Sequence, residues 1–396
     1  MRITSVDTLS CDAGWRDFSY LKVSTDAGIV GWSEFTESHG NRGLARVIAD
    51  LAEPLHGRDP RPVESVTAYL QALTRQQPGG VLQQAIAAIE NALLDIKARD
   101  LGVPVYEMLG GPLRTRLPLY WSHCGSYRLS HPAVLRRPKP TRPADLVALG
   151  AQVTGAGYVG LKCNILDFER SPDRILMPGF TTSPGHPELN VDPRLIEVLR
   201  RQLTAFRDGA GERAEIFCDL NFNFRTEGYV RIGRALGELG LGWLELDSFE
   251  PRALATIRRS IPMPLASGES LHHRRQYLPF FEARAFDVAV VDVVWNGLLE
   301  GLKIAALADA FEVNVAPHNF FSHLATAMSA HFCALVPNLR VMETDVDDVP
   351  WKDELVTAVP AVEHGTLALP TGPGWGTEID EDAVRAHPTT GARFHS

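Results

Sequence analysis

The sequence predicts an α/β fold, a parallel β/α barrel preceded by a smaller α+β domain. Three observations carry this reading. From residue 116 onward, short apolar runs alternate with helical stretches, the pattern of repeated βα units. The first 115 residues instead group their strands and then their helices, as α+β domains do. Finally, Asp219, Glu245, Glu269, Asp292, His318 and Glu343 end successive predicted strands. Their separations of 26, 24, 23, 26 and 25 residues are each about one βα unit.

Taken in order, residues 1–35 read as strands. Tyr20 to Thr25 alternates, Asp26-Ala27-Gly28 is a turn, and Ile29 to Trp32 resumes the strand pattern. Residues 42–74 and 81–100 read as helices; in the second, Ile86, Ile89, Leu93 and Ile96 recur at helical spacing. The segment Met108-Leu109-Gly110-Gly111-Pro112 closes a first domain placed at 1–115. Eight strands are predicted near 118–122, 158–164, 214–220, 242–247, 264–267, 286–292, 314–317 and 340–343. Helices such as 194–208, 228–239, 297–311 and 323–335 lie between them, which places the barrel at 116–364. The remaining 365–396, rich in Gly, Pro and polar residues, is predicted to pack back on the first domain.

Composition narrows the function. A chain of 396 residues with 45% hydrophobic and 22% charged residues can bury a large core without disulfides or structural metals. The net charge of −9, with no Lys/Arg cluster, argues against nucleic acid as a partner. Cys11, Cys124, Cys163, Cys218 and Cys333 are odd in number and form no CxxC pair, so neither a zinc ribbon nor a disulfide framework is indicated. Reduced thiols in a cytoplasmic protein are the simple reading. The start MRITSVDTLS alternates like a strand and lacks the basic start and apolar run of a signal peptide. No run of 18 apolar residues exists to span a membrane.

The strand-end residues carry the chemistry. Barrel strands are otherwise apolar, and function collects at their C-terminal rim. Six ionisable groups on one rim would repel and desolvate one another unless something used them. A hard divalent cation takes oxygen ligands, so Asp219, Glu245 and Glu269 on neighbouring strands are expected to hold one, Mg²⁺ first among the candidates. The second strand adds Lys162 and Asn164, which are two apart and point the same way. Asn221 lies two beyond Asp219 and shares its direction if the strand continues.

On these residues the chain resembles the enolase superfamily, in its mandelate racemase branch. The resemblance includes Asp26 to Glu34, the helix Ala85 to Asp100, the Leu109-Gly110-Gly111-Pro112 junction and the Asp219/Glu245/Glu269 triad. Asp292 with His318 matches that branch's His–Asp dyad, and Glu343 its eighth-strand glutamate; the related branch with a sixth-strand lysine is disfavoured by Asp292. The resemblance implies a capping domain on a modified (β/α)7β TIM barrel. It implies a Mg²⁺ cofactor, a small carboxylate substrate and a homo-oligomer. Two departures stand out: Lys162-Cys163-Asn164 where Lys-x-Lys is common, and Glu245-Leu246-Asp247 where Glu-Glu-Pro is common.

The reaction implied is removal of a proton α to a carboxylate. His318 is the expected base, because its unperturbed pKa lies near operating pH. Asp292 would orient it. Lys162 and a protonated or hydrogen-bonding Glu343 would stabilise the enediolate. Asn164 cannot take a proton from carbon, so the face opposite His318 lacks an obvious acid or base. Racemisation needs both faces. Dehydration needs less, and the acid can be His318 itself. Dehydration of a sugar acid (aldonate or aldarate) to a 2-keto-3-deoxy acid is therefore the expectation. Epimerisation or cycloisomerisation on the same scaffold and a catalytically impaired acid-binding paralogue are the alternatives. Asn221, Trp15, Arg16 and His123 are expected to contact substrate, with the loop 11–17 closing over the site and the insertion 165–190 beside it.

Overall fold

A computed structural model describes residues 1–38, 41–169, 173–177, 187 and 189–389. The capping domain begins with a three-stranded antiparallel sheet, Ile3–Asp12, Asp17–Thr25 and Val30–Phe35. Against it lies the helix Gly80–Leu101, buried along most of its length. The approach is closest at Gly31, where a Cβ would stand 2.2 Å from the Ala92 carbonyl oxygen. The stretch expected to be helical over 42–74 is instead two helices, Leu44–Ala52 and Val63–Leu73, with a short 3₁₀ turn Glu53–Leu55 after the first. Pro54, Gly57, Pro60 and Pro62 account for the break, since proline removes donors and restricts the residue before it.

All eight barrel strands form, as Arg116–Ser122, Gly160–Cys163, Glu215–Asp219, Trp243–Glu245, Leu265–Ser267, Val288–Val291, Asn314–Pro317 and Met342–Asp345. Strands one to seven pair in parallel and in order, and the eighth pairs with the first. The ring closes just below the eighth strand: Val315 N donates to Asn338 O (2.9 Å) and Arg340 N to Val315 O (2.8 Å). A helix follows each of the first seven strands, at Pro143–Gly155, Pro193–Ala210, Thr226–Ala235, Pro251–Ser260, His273–Glu282, Leu298–Ala310 and His323–Leu335. The fold is thus a capping domain on a (β/α)7β barrel.

The barrel interior is filled by Tyr120, Phe217, Trp243, Ala266, Val288, Val290, Ala316 and Val341. Phe217 and Trp243 stack with centroids 3.7 Å apart, and Tyr120 meets both edge-on. These side chains pack the barrel core beneath the rim.

The hairpin Val362–Glu363/Thr366–Ala368 pairs antiparallel onto the first barrel strand, so it straddles the boundary drawn at 364/365. Beyond it the chain turns to the capping domain. Trp375 is fully buried; its backbone N donates to Asp95 Oδ1 and its Nε1 to the Trp32 carbonyl. Helix Glu381–Ala386 lies on the first capping strand. Among the described residues, no helix is long and apolar enough to cross a membrane.

Candidate active site

A cavity of about 50 Å³ opens at the C-terminal rim of the barrel. Its polar lining is His123, Lys162, Asp219, Asn221, Glu269 and His318; Trp15, Tyr127, Met177, Trp295 and Phe320 supply aromatic and apolar walls. Lys162 and Asp219 lie in strands two and three, Trp15 comes from the capping domain, and the others come from the segments that follow strands one, two, three, five, six and seven, as a rim site requires.

His318 directly follows the seventh strand. Its Nδ1 lies 2.7 Å from Asp292 Oδ2, and its Nε2 lies 3.4 Å from Glu269 Oε2. Asp292 is wholly buried, and its other oxygen accepts from Trp295 N (2.8 Å), so the carboxylate cannot swing. The Nδ1 contact fixes the tautomer that leaves Nε2 as the working nitrogen. Burial works against a charged ring here, but Glu269 and Asp292 outweigh it and push the His318 pKa up to about 10.

Lys162 is buried and bridges two carboxylates, Glu245 Oε1 at 2.8 Å and Glu343 Oε1 at 2.9 Å. Burial would lower its pKa, yet these two charges hold it well above the lysine range. Glu343 is fully buried and lies behind Lys162 rather than in the cavity wall. It accepts from Ser122 Oγ (2.5 Å) and from Asn319 N (2.7 Å). Burial would raise its pKa, but Lys162, His318 and His123 hold it below the carboxylate range. A protonated Glu343 is therefore not supported: it is an ionised anchor for Lys162 and for the chain just after His318. An unpaired buried charge costs several kcal/mol, so neither partner is dispensable.

The three expected cation ligands are placed unequally. Asp219 and Glu269 line the cavity. Glu245 does not: its Oε1 accepts from Lys162 and its Oε2 from Trp243 Nε1 at 2.9 Å. Among the described residues, no three His, Cys, Asp or Glu side chains form a ready-made cation cage. The donor chemistry still fits a hard divalent ion. Burial raises the pKa of Asp219, Glu245 and Glu269, and repulsion from neighbouring carboxylates adds to it in each case, which is the strain a cation relieves. Glu269 is set on the rim by Gly268 at φ 113°, a conformation that favours glycine.

Other expectations divide. Asn221 lines the cavity at φ 49°; its N and Nδ2 both donate to Asp219, at 2.8 and 3.1 Å. Asn164 is not in the wall. It accepts from Ser126 Oγ (2.9 Å) and its Nδ2 reaches Asp219 Oδ2 (3.4 Å), so it steadies a carboxylate from behind. Trp15 forms part of the roof and stacks on His131. Arg16 points elsewhere, contrary to the expectation that it meets substrate. It is buried, 2.9 Å from Asp348 and 3.7 Å from Asp345. Of the insertion, Met177 reaches the cavity; residues 170–172, 178–186 and 188 lie outside the described residues.

Sequence reasoning missed five contributors. Asp345 pairs with His123 (2.8 Å), and its place two residues after Glu343 on one strand was the available signal. Asp247, pushed up to about 6 by burial and by Glu245, accepts from Ser267 Oγ and Gly268 N and thereby fixes the turn before Glu269. Tyr127, Trp295 and Phe320 sit in connections where no periodicity marks them.

Known proteins agree with this architecture. A family model described as mandelate racemase / muconate lactonizing enzyme, N-terminal domain, matches residues 8–110, and one described as enolase C-terminal domain-like matches residues 155–383. A D-galactonate dehydratase family member of Streptomyces bingchenggensis is 29% identical over 98% of this chain and 93% of its own length. A D-xylonate dehydratase of Haloferax volcanii is 26% identical over 98% and 89%. A crystal structure from Burkholderia xenovorans, named as a "putative L-alanine-DL-glutamate epimerase", superposes with TM-score 0.96 at 47% identity over 99% of both chains. A second structure of that name, bound to magnesium and fumarate, gives TM-score 0.96 at 46% identity over 100% of this chain and 98% of the other.

Proposed function

Because the chain belongs to the enolase superfamily, in its mandelate racemase / muconate lactonizing enzyme group, we propose that it dehydrates a hydroxylated carboxylate, a sugar acid, to a 2-keto-3-deoxy acid. The observation that carries this is the His318–Asp292 pair with Nε2 turned to the cavity beside Glu269 and within the rim that holds Lys162. Asp219 and Glu269, with Glu245, would hold Mg²⁺. When bound, that ion would draw charge from the substrate carboxylate and offset the charge of Glu269, which makes an α-proton more acidic and brings His318 nearer a working base.

The chain's own residues do the rest. His318 takes the α-proton at Nε2, with Asp292 holding the ring and stabilising the imidazolium that forms. Lys162 places a fixed positive charge near the developing enediolate, kept in position by Glu343 and Glu245. Asn221 orients Asp219. Trp15, Tyr127 and Phe320 keep water from the carbanion. The curated relatives named as galactonate and xylonate dehydratases support elimination as the outcome. The neighbour named as an epimerase supports a second reading, protonation of the same intermediate without loss of water. Homo-oligomeric assembly and a cytoplasmic setting belong to the same proposal.

The test is a panel of four- to six-carbon aldonates and aldarates incubated with the Mg²⁺-loaded protein. A 2-keto-3-deoxy acid is the expected product. An inverted C2 centre with no keto acid would replace dehydration by epimerisation.

A further inference from the structure

One histidine suffices to remove the α-proton, yet two histidines line the cavity. His123 follows the first barrel strand, and it too has its own aspartate. Its Nδ1 lies 2.8 Å from Asp345 Oδ1. Strand register delivers the contact: Asp345 on the eighth strand is the partner of Ser122 on the first, so the carboxylate arrives beside the next residue along. Arg16 stands 3.7 Å from the other oxygen of Asp345. The ring is stacked on Tyr127 at 4.4 Å and 14°. The His123 backbone has φ 49°, a conformation a non-glycine residue adopts at some cost and which collects at functional sites.

His331 shows what a structural histidine looks like in this chain. It is fully buried, its Nδ1 receives Tyr106 N (3.0 Å) and its Nε2 faces the Trp375 carbonyl (3.3 Å), so both nitrogens are used. His123 differs. Its Nδ1 is committed to Asp345, with Ser122 Oγ also at 3.2 Å, while its Nε2 has no hydrogen-bond partner among the described residues. A ring held by a carboxylate at one nitrogen and open to a cavity at the other is the arrangement of an acid or base. His318 has the same arrangement at the end of the seventh strand, two strands away around the ring.

We propose that His123, oriented by Asp345, is the acid that protonates the departing hydroxyl. The inference rests on the dehydration reading above. His318 takes the α-proton, and the Cα electron pair becomes the Cα–Cβ double bond. The Cβ–O bond breaks as the His123 imidazolium gives its Nε2 proton to that oxygen, and water leaves. The enol ketonises to the 2-keto-3-deoxy acid. His318 ends with one proton more and His123 with one fewer, and exchange with solvent restores both. Base and acid are then separate groups, and Asn164 need not play either part.

The test separates the two half-reactions in D₂O with Mg²⁺. The acid used is whichever member of a four- to six-carbon aldonate panel the wild type turns over. His123→Asn is expected to keep C2 deuterium exchange within about threefold while keto acid formation falls about 10²-fold or more. The 3-deoxy-3-fluoro analogue of the same acid, whose leaving group depends less on an acid, is expected to recover most of the lost elimination. Asp345→Asn should show the same split in weaker form, and circular dichroism of both variants should match wild type. Equal loss of exchange and elimination in His123→Asn, or no recovery with the fluoro analogue, overturns the assignment while leaving His318 as base intact. A wild-type protein that forms keto acid from no acid in the panel overturns the dehydration reading and this inference together.

Discussion

His318 and His123 each give one ring nitrogen to an aspartate, at 2.7 and 2.8 Å, but the two are held by different means. The His318 side is gripped by both domains. Just after it, Asn319 is tied to Glu343 of the eighth strand, while Ser322 N and Oγ and Ala325 N all donate to Glu34 of the capping sheet. The chain after Asp292 is held by the capping helix, through Gln83 to Asn296 O, Asn91 to Val293 O and Leu298 N, and Glu90 to Leu299 N. The His123 side depends on one loop instead. Trp15 packs on Tyr127 at 4.5 Å, and Arg16 reaches Asp345 and Asp348. The capping domain therefore does more than roof the cavity. It fixes the proposed base through regular structure and backs the proposed acid through a short loop.

Glu34→Gln offers the largest effect on this comparison. A glutamine keeps one carbonyl acceptor and turns an amide donor toward the backbone N–H of Ser322 or Ala325, neither of which can accept, so the His318–Ser322 connection should shift. Small misplacements of a catalytic group cost up to about 10²-fold, so kcat should fall by roughly ten- to a hundredfold with Mg²⁺ affinity unchanged. Exchange and elimination should fall together, because Glu34 acts on the base side; His123→Asn should instead divide them. A Glu34→Gln protein with normal kcat and only a lowered Tm would reduce Glu34 to a fold anchor.

Glu90→Gln gives a smaller, pH-dependent effect. Burial, with repulsion from Glu300 and Glu64, pushes Glu90 up to about 8 despite its bond from Leu299 N, from an ordinary value of 4.5. Between these two values the folded chain keeps a proton that the unfolded chain has lost. The contribution of Glu90 to stability is therefore full below 4.5, falls as pH rises toward 8, and is flat above it. Glutamine does not titrate, so the Tm of Glu90→Gln relative to wild type should climb from about pH 5 to about pH 9. A difference in Tm that does not change with pH would show that Glu90 is ionised in the folded protein.

The barrel was legible because its signal is repeated: each of the eight strands is a short apolar run, and the strand-end residues return at nearly constant spacing. The first helical stretch was misread although Pro54, Pro60 and Pro62 stood in view, since apolar content across 42–74 does not reveal where backbone donors are missing. Side-chain partners were less legible. Spacing placed Glu245 on the rim, but not the competition of Lys162 and Trp243 for its oxygens. Arg16 looked like a substrate contact because the aspartates that bind it lie more than 300 residues away in the chain. Local pattern reports which face a residue occupies; it does not report which charge meets it there.

The proposed chemistry turns on His318 as the group that removes the proton α to a substrate carboxylate. It is tested most directly by deuterium incorporation at C2 in D₂O, followed by NMR for wild type and His318→Asn, each with Mg²⁺ and after chelation. Mg²⁺-dependent exchange is expected in wild type, with a loss of about 10³-fold or more in His318→Asn and the fold intact. Exchange that persists in His318→Asn at the wild-type rate would contradict it.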